Sequence, residues 1–305
     1  MSWLASRLLH FAIVIWGVTT LVFVALRLTG DPAMMLLPGN PSAEDIRLAH
    51  EKLGMDQPLL TQYLHFIHDA FTGNFGTSFQ HGVDAVSIVL DRLPATALLA
   101  GSALLLASVI AIPLGLEAAL NRGRVADLVV MALAVVGQGV PFFWLGLMLI
   151  LVFGVEFRLL PTGGYGGPEN LVLPTLTLAG YIGASTARLA RSSMLEELGQ
   201  DYMRTARAKG LGLHAAAIKH GLRNAAIPIV TFLGLQMGLL LGGTVVVEEI
   251  FGWPGVGRLL LQAISFRDYP VVQAATFILA MIFVAVNIIV DVLYLVLDPR
   301  VRDRH

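Results

Sequence analysis

The sequence predicts an all-α polytopic membrane protein with six transmembrane helices. Of its 305 residues, 56% are hydrophobic and only 13% are charged, whereas soluble domains carry about 25% charged residues. The apolar residues are gathered into runs long enough to cross the hydrocarbon core, where every backbone polar group must be hydrogen-bonded within its own segment. Six such runs are present: residues 8–28, 95–118, 128–155, 171–190, 225–247 and 271–297.

Two of these runs depart from a simple span. The first is longer than the ~7–15 apolar residues of a signal peptide and is followed by no small-residue cleavage site, so we expect it to remain as a helix. The third is long for a hydrocarbon core of ~30 Å and contains Pro141. Because proline removes a backbone donor and kinks a helix, we expect this span to be tilted, kinked or partly broken.

The distribution of basic residues predicts the orientation. With the N-terminus in the cytoplasm, the cytoplasmic segments hold 13 of the 20 Lys and Arg residues, although the outside segments are longer in total. The positive-inside rule therefore favours two cytoplasmic termini. The net charge of −1 gives no indication of a nucleic-acid partner. There is no cysteine, so no disulfide or thiolate chemistry is available.

The long segment between the first two spans, residues 29–94, predicts one amphipathic helix outside the membrane. Within it an apolar face is expected to lie on the membrane or on the spans, or to serve as a docking surface. His65 and His68 are spaced so that both could reach one metal ion, but nothing nearby completes a site, and we favour a structural or solvated pair. The apolar face comprises Leu59, Tyr63, Phe66, Ile67, Ala70 and Phe71.

The fifth and sixth spans carry the candidates for helix packing and for the pore. Gly234, Gly238 and Gly242 recur at a spacing of four, which lets a neighbouring helix approach closely. That neighbour is either another helix of this chain or a partner subunit, or the face lines the pore; Gln236 lies within it. Asp291 is an acidic residue within an apolar run and is therefore a functional candidate, although its place near the cytoplasmic interface favours a structural hydrogen bond or a role in helix packing.

Two further features lie at the outer end of the fifth span. Glu248 and Glu249 end that span, and we expect them to face water. The segment 248–270 that follows is only partly apolar and contains helix breakers, so we expect it to dip into the membrane or to lie at the outer surface.

The sequence gives no support to an enzyme. It contains no G-x-x-x-x-G-K-[ST] loop for nucleotide phosphates, no H-E-x-x-H zinc motif and no G-x-S-x-G elbow. We therefore expect no catalytic residue, no metal and no cofactor on this chain. Transport remains as a function. The chain would either be energised by another subunit or work as a stand-alone secondary carrier, but a carrier would show repeated halves, which we do not find. A membrane scaffold without transport activity is the third possibility.

The segment 201–230 decides between these possibilities. Residues 192–210 predict a helix that continues inward from the fourth span, with Glu196 and Glu197 early and the basic residues Arg204, Arg207 and Lys209 late, as the helix dipole favours. Gly210 is expected to end it because glycine accepts positive φ, and a new helix then returns to the membrane. Extended inward from the fourth span, this gives a rigid helix–turn–helix elbow with a small, apolar tip, which suits a groove on a cytoplasmic partner better than a solvated loop would.

Residues 204–223, RTARAKGLGLHAAAIKHGLR, resemble the cytoplasmic EAA loop of binding-protein-dependent ABC importer permeases. Ala206, Gly210 and Leu222 match its general pattern. The whole chain is similar to the B-type subunit of dipeptide and oligopeptide permeases, whose group also includes glutathione and nickel permeases. The resemblance rests on GDP at 30–32, LGMDQPLLTQY at 53–63, GNFGTSF at 73–79, VVEEIFGWPGVGR at 246–258, RDYPVVQ at 267–273 and VDVLYLVLDPR at 290–300.

The resemblance implies the type I ABC importer permease architecture in a bacterial inner membrane. Its parts would be an N-terminal helix with a periplasmic segment in 1–94, a permease core in 95–297 with a coupling loop at 191–224, and a cytoplasmic tail at 298–305. It implies short peptides as substrates, with glutathione or a nickel or metal chelate as the alternative.

The resemblance also implies partners. A second permease subunit would complete the pore, two ATPase subunits carrying ATP and Mg²⁺ would bind the elbows, and a periplasmic solute-binding protein would deliver substrate. The surfaces expected to meet the binding protein are 29–94 and 248–270. The coupling candidates implied in this way are Arg204, Thr205, Ala206, Arg207, Lys209, Gly210, Leu211 and His214.

Overall fold

The computed structural model describes residues 3–28, 37, 42–52 and 54–297. The GDP segment at 30–32 and the predicted tail at 298–305 lie outside this described part. Within it the chain is helical, and the only β-type pairing is an isolated bridge between Thr77 and Asp84. The α-helices are α1 Trp3–Leu28, α2 Ala43–Lys52, α3 Leu59–Thr72, α4 Ala85–Leu120, α5 Val125–Gly139, α6 Phe142–Leu149, α7 Pro168–Leu198, α8 Asp201–Ala208, α9 Leu213–Ala216, α10 Leu222–Ile250, α11 Val256–Ser265 and α12 Tyr269–Leu297.

The third predicted span is broken at Pro141, as expected. Helix α5 ends at Gly139, Pro141 precedes α6, and a π-helical segment, Ile150–Glu156, follows α6. The two halves, 125–139 and 142–156, are bent by 101° relative to each other. The missing N–H of proline and its restriction of the preceding residue end α5 at this point.

Three helices of the described part are long and apolar enough to cross a membrane: α1, α4 and α12. The bent α5–α6 pair makes a fourth if its two halves form one span. Helices α7 and α10 have 31 and 29 residues, but neither offers a qualifying apolar window among the described residues. The all-helical membrane fold is therefore confirmed, whereas six spans remain a prediction.

The chain divides into two compact units. One comprises residues 1–96 with 254–285, and the other comprises 97–253 with 286–305. In the first unit, Phe23, Phe66 and Phe75 pack in a core with the start of α4 and with parts of α11 and α12. In the second unit α7 is the central element, since it contacts α5, α6 and α10 and contributes thirteen buried residues.

Helix α3 is the amphipathic helix predicted outside the membrane, and part of its apolar face packs against the rest of the chain. Phe66 and Ala70 are buried, as expected, and Gln62 joins them. Leu59 and Phe71 are 66% and 80% exposed, so only part of the predicted apolar face packs against other helices of the chain, and contact of the rest with the membrane stays a prediction. Residues at helical spacing around Phe66 lie against the core, whereas Leu59 and Phe71 are at the two ends of a helix of only 14 residues.

The prediction that Glu248 faces water was wrong. Its side chain is fully buried near the end of α10, whereas Glu249 is exposed. The chain after it folds back on its own unit: Phe251 O accepts a hydrogen bond from Gly164 N at 2.7 Å, and Trp253 packs edge-on against Tyr165 with ring centroids 4.9 Å apart. Burial here depends on contacts with residues some 90 positions away, which the local sequence does not reveal.

Candidate functional site

The elbow, defined as residues 201–221, is formed by α8, a four-residue turn, α9 and the π-helical segment Ala217–Gly221. It leads into α10, as predicted. The predicted continuous helix from the fourth span into the elbow was wrong, because α7 ends at Leu198 and the chain is extended at Gln200, with φ −73° and ψ 151°. Gly199 and Gln200 therefore interrupt the helix between α7 and α8. The sequence does not reveal this break, because the surrounding residues are good helix formers.

The turn of the elbow is closed by a Schellman motif centred on Gly210. Gly210 has φ +93°, its N–H donates to Arg207 O at 3.0 Å, and the next N–H, of Leu211, donates to Ala206 O at 3.3 Å. These two bonds satisfy carbonyls that the end of α8 would otherwise leave free. The predicted helix stop at Gly210 is therefore confirmed, and its φ favours glycine.

A small apolar core holds α8 against α9. Met203 and Ala216 are 1% and 0% exposed, and Ala206 is 8% exposed. Leu198 and Leu211 pack against them, and Leu211 occupies the position after the glycine whose apolar packing commonly accompanies a Schellman motif. The elbow is therefore held in one conformation by its own contacts.

A polar contact fastens the same core to the end of α7. The Tyr202 hydroxyl donates a hydrogen bond to the Glu197 carboxylate. Partial burial, together with the Glu197 carboxylate, raises the pKa of Tyr202 above its usual value. The hydroxyl therefore stays protonated and donating throughout the physiological range.

The coupling candidates divide between surface and interior of the elbow. Ala206 is buried and Leu211 is half-buried, so they support the elbow from within. The side chain of Arg204 is 80% exposed, and its 3.5 Å contact with the equally exposed Asp201 adds little stability. The exposed candidates are Arg204, Thr205, Arg207, Lys209, Gly210 and His214.

The outer surface of the elbow is therefore basic with apolar patches. Ala208, Leu213 and Ala215 are exposed next to the basic side chains of Arg207 and Lys209. His214 lies 3.7 Å from Glu117 at the end of α4, a contact that is an ion pair only when the histidine is protonated. The assignment of these residues to ATPase coupling stays a prediction, for which the structure provides a rigid and accessible surface.

Gly234, one of the small residues of α10, packs closely against another helix of this chain. A Cβ on Gly234 would lie 2.3 Å from Val290 of α12, so this glycine lets two helices of the same unit meet closely. Gly238 and Gln236 are buried, and Gly242 belongs to the same helix. A role in the pore stays a prediction for all of them.

The two remaining candidates occupy different settings. Pro141 is exposed at the break between α5 and α6, where its part is to end one helix and begin the next. Asp291 is half-buried on α12. Neither position tests a role in transport.

A buried carboxylate that the sequence did not single out organises the first unit. Asp268 is 1% exposed and accepts hydrogen bonds from Ser78 Oγ at 2.5 Å, Phe79 N at 3.1 Å and Gln80 N at 3.3 Å. It joins two segments, GNFGTSF and RDYPVVQ, that had been noted only for their resemblance to a family. The sequence shows only an acid directly before the Tyr-Pro start of α12, which does not by itself indicate burial.

Comparison with known proteins identifies the family. Residues 111–303 match the model described as binding-protein-dependent transport system inner membrane component, and residues 1–100 match the model for the N-terminal part of such components. The glutathione transport system permease protein GsiC of Escherichia coli (strain K12) is 41% identical over 303 residues, covering 99% of each chain. GsiC of Salmonella typhi has the same identity and coverage.

Among solved structures, the fold is similar to a chain of the inward-facing MetNI methionine ABC transporter in its CY5 native crystal form. The TM-score is 0.58 at 17% identity, covering 69% of this chain and 96% of that chain; at this identity the similarity concerns the fold alone. The family matches confirm the resemblance to ABC importer permeases and rule against a stand-alone carrier. This chain belongs to the family of inner-membrane components of binding-protein-dependent transport systems, and it is the permease component of an ABC importer.

Proposed function

We propose that this permease pairs with a second permease subunit to form the pathway by which short peptides enter the cell. The observation that carries the substrate class is the 41% identity, over 99% of each chain, to a permease named for glutathione transport. Glutathione is a tripeptide, so both the short-peptide prediction and its glutathione alternative describe one chemical class. A solute-binding protein outside the membrane would deliver the peptide.

Energy would come from two ATPase subunits, each receiving one elbow. This chain has no nucleotide-binding loop of the Walker type, so ATP and Mg²⁺ belong on the partners. The rigid, basic and partly apolar surface of residues 204–215 suits a groove lined by acidic and apolar side chains. Closure of the ATPase pair on ATP would displace the elbows and switch the pore between its two accessible states.

Six spans and two cytoplasmic termini complete the proposal. The spans would be α1, α4, the bent α5–α6 pair, α7, α10 and α12, which places the elbow in the cytoplasm and residues 29–84 outside. Reporter fusions test this arrangement: alkaline phosphatase fused after residue 80 should be active, and the same enzyme fused after residue 212 or 305 should be inactive. Activity at 212 would contradict the orientation.

The assembly is tested by mild detergent extraction of the tagged permease from its own membrane, followed by mass spectrometry of the proteins that copurify. A second permease and two Walker-motif ATPases are expected. Recovery of this chain alone or as a homodimer, with uptake that survives ATP depletion, would overturn the proposal.

The substrate class is tested by uptake of labelled glutathione and of a labelled dipeptide into cells, with and without the gene for this chain. We expect saturable uptake that depends on the chain and that unlabelled short peptides abolish by competition. A chelated nickel ion and a free amino acid serve as comparison substrates. Uptake of nickel chelate without any peptide uptake would replace the peptide assignment.

A further inference from the structure

A buried ion pair joins the beginning of α5 to the part of α7 that precedes the elbow. Arg191 donates to Asp127 through Nε at 2.5 Å and through Nη2 at 2.8 Å. The side chains of Asp127 and Arg191 are 5% and 24% exposed, and Asp127 also accepts a hydrogen bond from Gly123 N at 2.9 Å. Such a bidentate, charge-assisted contact fixes both distance and orientation between the two helices.

The same two helices meet again about three turns further along α5. A Cβ on Gly137 would lie 3.1 Å from Ala184 Cβ, so the backbones approach closely at this point. Beside it, Gln138 Nε2 donates to Ser185 Oγ at 2.8 Å, and Arg188 donates to Gln138 Oε1. Helix α5 is therefore attached to α7 at two separate heights, an arrangement that opposes both sliding and rotation of one helix on the other.

The cytoplasmic part of α7 in turn contacts the elbow. Met194, one turn after Arg191, is 1% exposed and packs with Ala217, and a Cβ on Gly221 would lie 3.1 Å from its Sδ. Leu198 packs into the core of the elbow with Met203. A displacement of the elbow therefore reaches Arg191 through packed side chains within a single turn of helix.

We propose that α5 and α7 move as one rigid body when the elbow is displaced, and that Asp127 and Arg191 are the positioning residues that fasten α5 to it. This inference rests on the proposed function, because it concerns how an ATP-driven movement reaches the membrane helices. The ion pair is the attachment nearest to the elbow, and the Gly137–Ala184 contact is the attachment further along. Rotation between α5 and α7 is consequently not part of the transport cycle.

A reversible cross-link tests the rigid body directly. The chain contains no cysteine, so Gly137→Cys with Ala184→Cys introduces one defined pair whose Cβ atoms need only a small outward shift to reach the ~3.8 Å of a disulfide. The assembled importer in proteoliposomes is oxidised, and peptide uptake and ATP hydrolysis are measured before and after reduction. We expect the cross-linked sample to keep at least about half of the uptake of the reduced sample.

The outcomes separate the two proposals. A loss of about tenfold or more on oxidation, restored by dithiothreitol, would overturn the rigid body. The importer with the wild-type form of this chain, which contains no cysteine, is oxidised in parallel and reports any effect on the partner subunits. If the wild type transports no peptide, the proposed function fails instead. Gln138→Cys with Ser185→Cys provides a second pair if the first variant does not assemble.

The positioning role of the ion pair is tested by the ratio of peptide transported to ATP hydrolysed. Arg191→Met should lower this ratio about tenfold or more while hydrolysis continues, because it removes the attachment of α5 that is nearest to the elbow and leaves Asp127 without its partner. The exchange Asp127→Arg with Arg191→Asp should recover part of the ratio, and Arg124→Met, at an exposed arginine outside the coupling loop, should leave it unchanged. A smaller amount of assembled importer with an unchanged ratio would show a merely structural pair and contradict the proposal.

Discussion

Two helices of this protein end in the same hydrogen-bond pattern but with different residues in the left-handed position. At the end of α8, Gly210 has φ +93°, and at the end of α11, Arg267 has φ +51°. In α11 the N–H groups of Arg267 and Asp268 donate to Ile264 O at 3.1 Å and Ala263 O at 2.8 Å, which is the Schellman pattern also found at the elbow. An arginine in this conformation costs about 1–2 kcal/mol that a glycine does not.

The surroundings of the two turns explain the difference. Directly after Arg267, the buried Asp268 is held by Ser78, Phe79 and Gln80, and Tyr269 Oη donates to Leu26 O at 2.8 Å. Contacts with distant segments therefore fix the turn and offset the strain at Arg267. The elbow is stabilised by local contacts, chiefly those of Met203, Ala206 and Leu211, so its turn depends on the residue that the conformation favours.

The comparison separates two ways of holding an exposed segment rigid. In the first unit, one buried carboxylate joins segments about 190 positions apart. In the elbow, glycine and a few apolar side chains within about twenty residues give the same result. The stability of the first unit should therefore fall strongly on loss of a single polar group, whereas each substitution in the elbow should lower the stability by a smaller amount.

The largest effect is expected for Asp268→Ala. The variant removes the acceptor of the buried Ser78 hydroxyl and of the part-buried N–H groups of Phe79 and Gln80. At about 1–3 kcal/mol for the buried group and less for each of the other two, the total loss is about 3–5 kcal/mol. Thermal unfolding of the purified protein in detergent should show a strong loss of stability. Asp84→Ala is the matched control, since the exposed Asp84 accepts one bond from Ser87 N at 2.8 Å and should cost only about 1 kcal/mol. Equal losses in both variants would refute the role given to Asp268.

A smaller effect is expected for Met203→Ala, which empties part of the core of the elbow. Removing a buried methionine costs about 2 kcal/mol where the surroundings are small and can collapse. Because the core is local, we expect faster hydrogen exchange of the amides in 201–216 while the amides of α4 and α12 keep their protection. Loss of protection in α4 and α12 as well would contradict a locally stabilised elbow.

Gly210→Ala should lower the stability less than Met203→Ala does, and its effect should come only from the backbone conformation at residue 210. A Cβ at Gly210 meets no atom within 4 Å, and the same holds for Gly212, whose φ is −62°. Only the backbone conformation distinguishes the two positions, so Gly210→Ala should cost about 1–2 kcal/mol and Gly212→Ala much less. Uptake should fall for the first variant and not for the second.

Gly210→Pro, which cannot adopt positive φ, should abolish uptake with the protein still inserted in the membrane. Unchanged uptake in Gly210→Pro would remove the coupling assignment. The amount of inserted protein is checked by immunoblotting of the membrane fraction.

The smallest effect has the opposite sign. Arg267→Gly removes the backbone strain of an arginine in the left-handed conformation, but it also increases the conformational entropy of the unfolded chain. We expect a net stabilisation of about 0.5–1 kcal/mol. The measurement is again thermal unfolding in detergent, compared with the wild type. A destabilised Arg267→Gly variant would show that the Arg267 side chain, rather than the Asp268 network, holds this turn.

The elbow could be predicted from the sequence because its determinants are neighbours in the chain. Gly210, the basic residues before it and the apolar residues after it are all visible within twenty positions. The break at Gly199–Gln200 was missed because a single glycine next to good helix formers does not distinguish a joint from a continuous helix. Pro141 carried a stronger signal, and the break it causes was expected.

The features that depend on long-range contacts could not be predicted. The burial of Glu248 and the network of Asp268 follow from packing between segments far apart in the sequence, and a carboxylate in such a setting resembles a solvated one until its neighbours are known. The number of spans likewise depends on contacts between segments far apart in the sequence. Helix α7 carries Thr175, Thr177 and Thr186 buried within its unit, so its composition reflects protein packing more than contact with lipid.

The most direct test of the central claim is site-specific photocross-linking from Leu213, which is exposed on the elbow, in cells that express the complete importer. A benzophenone amino acid at this position should form an adduct with a Walker-motif ATPase, identified by mass spectrometry. The same amino acid at Val83, exposed in the other unit, should form no such adduct. An elbow that is never cross-linked to an ATPase, in an importer that still takes up peptide, would contradict the account.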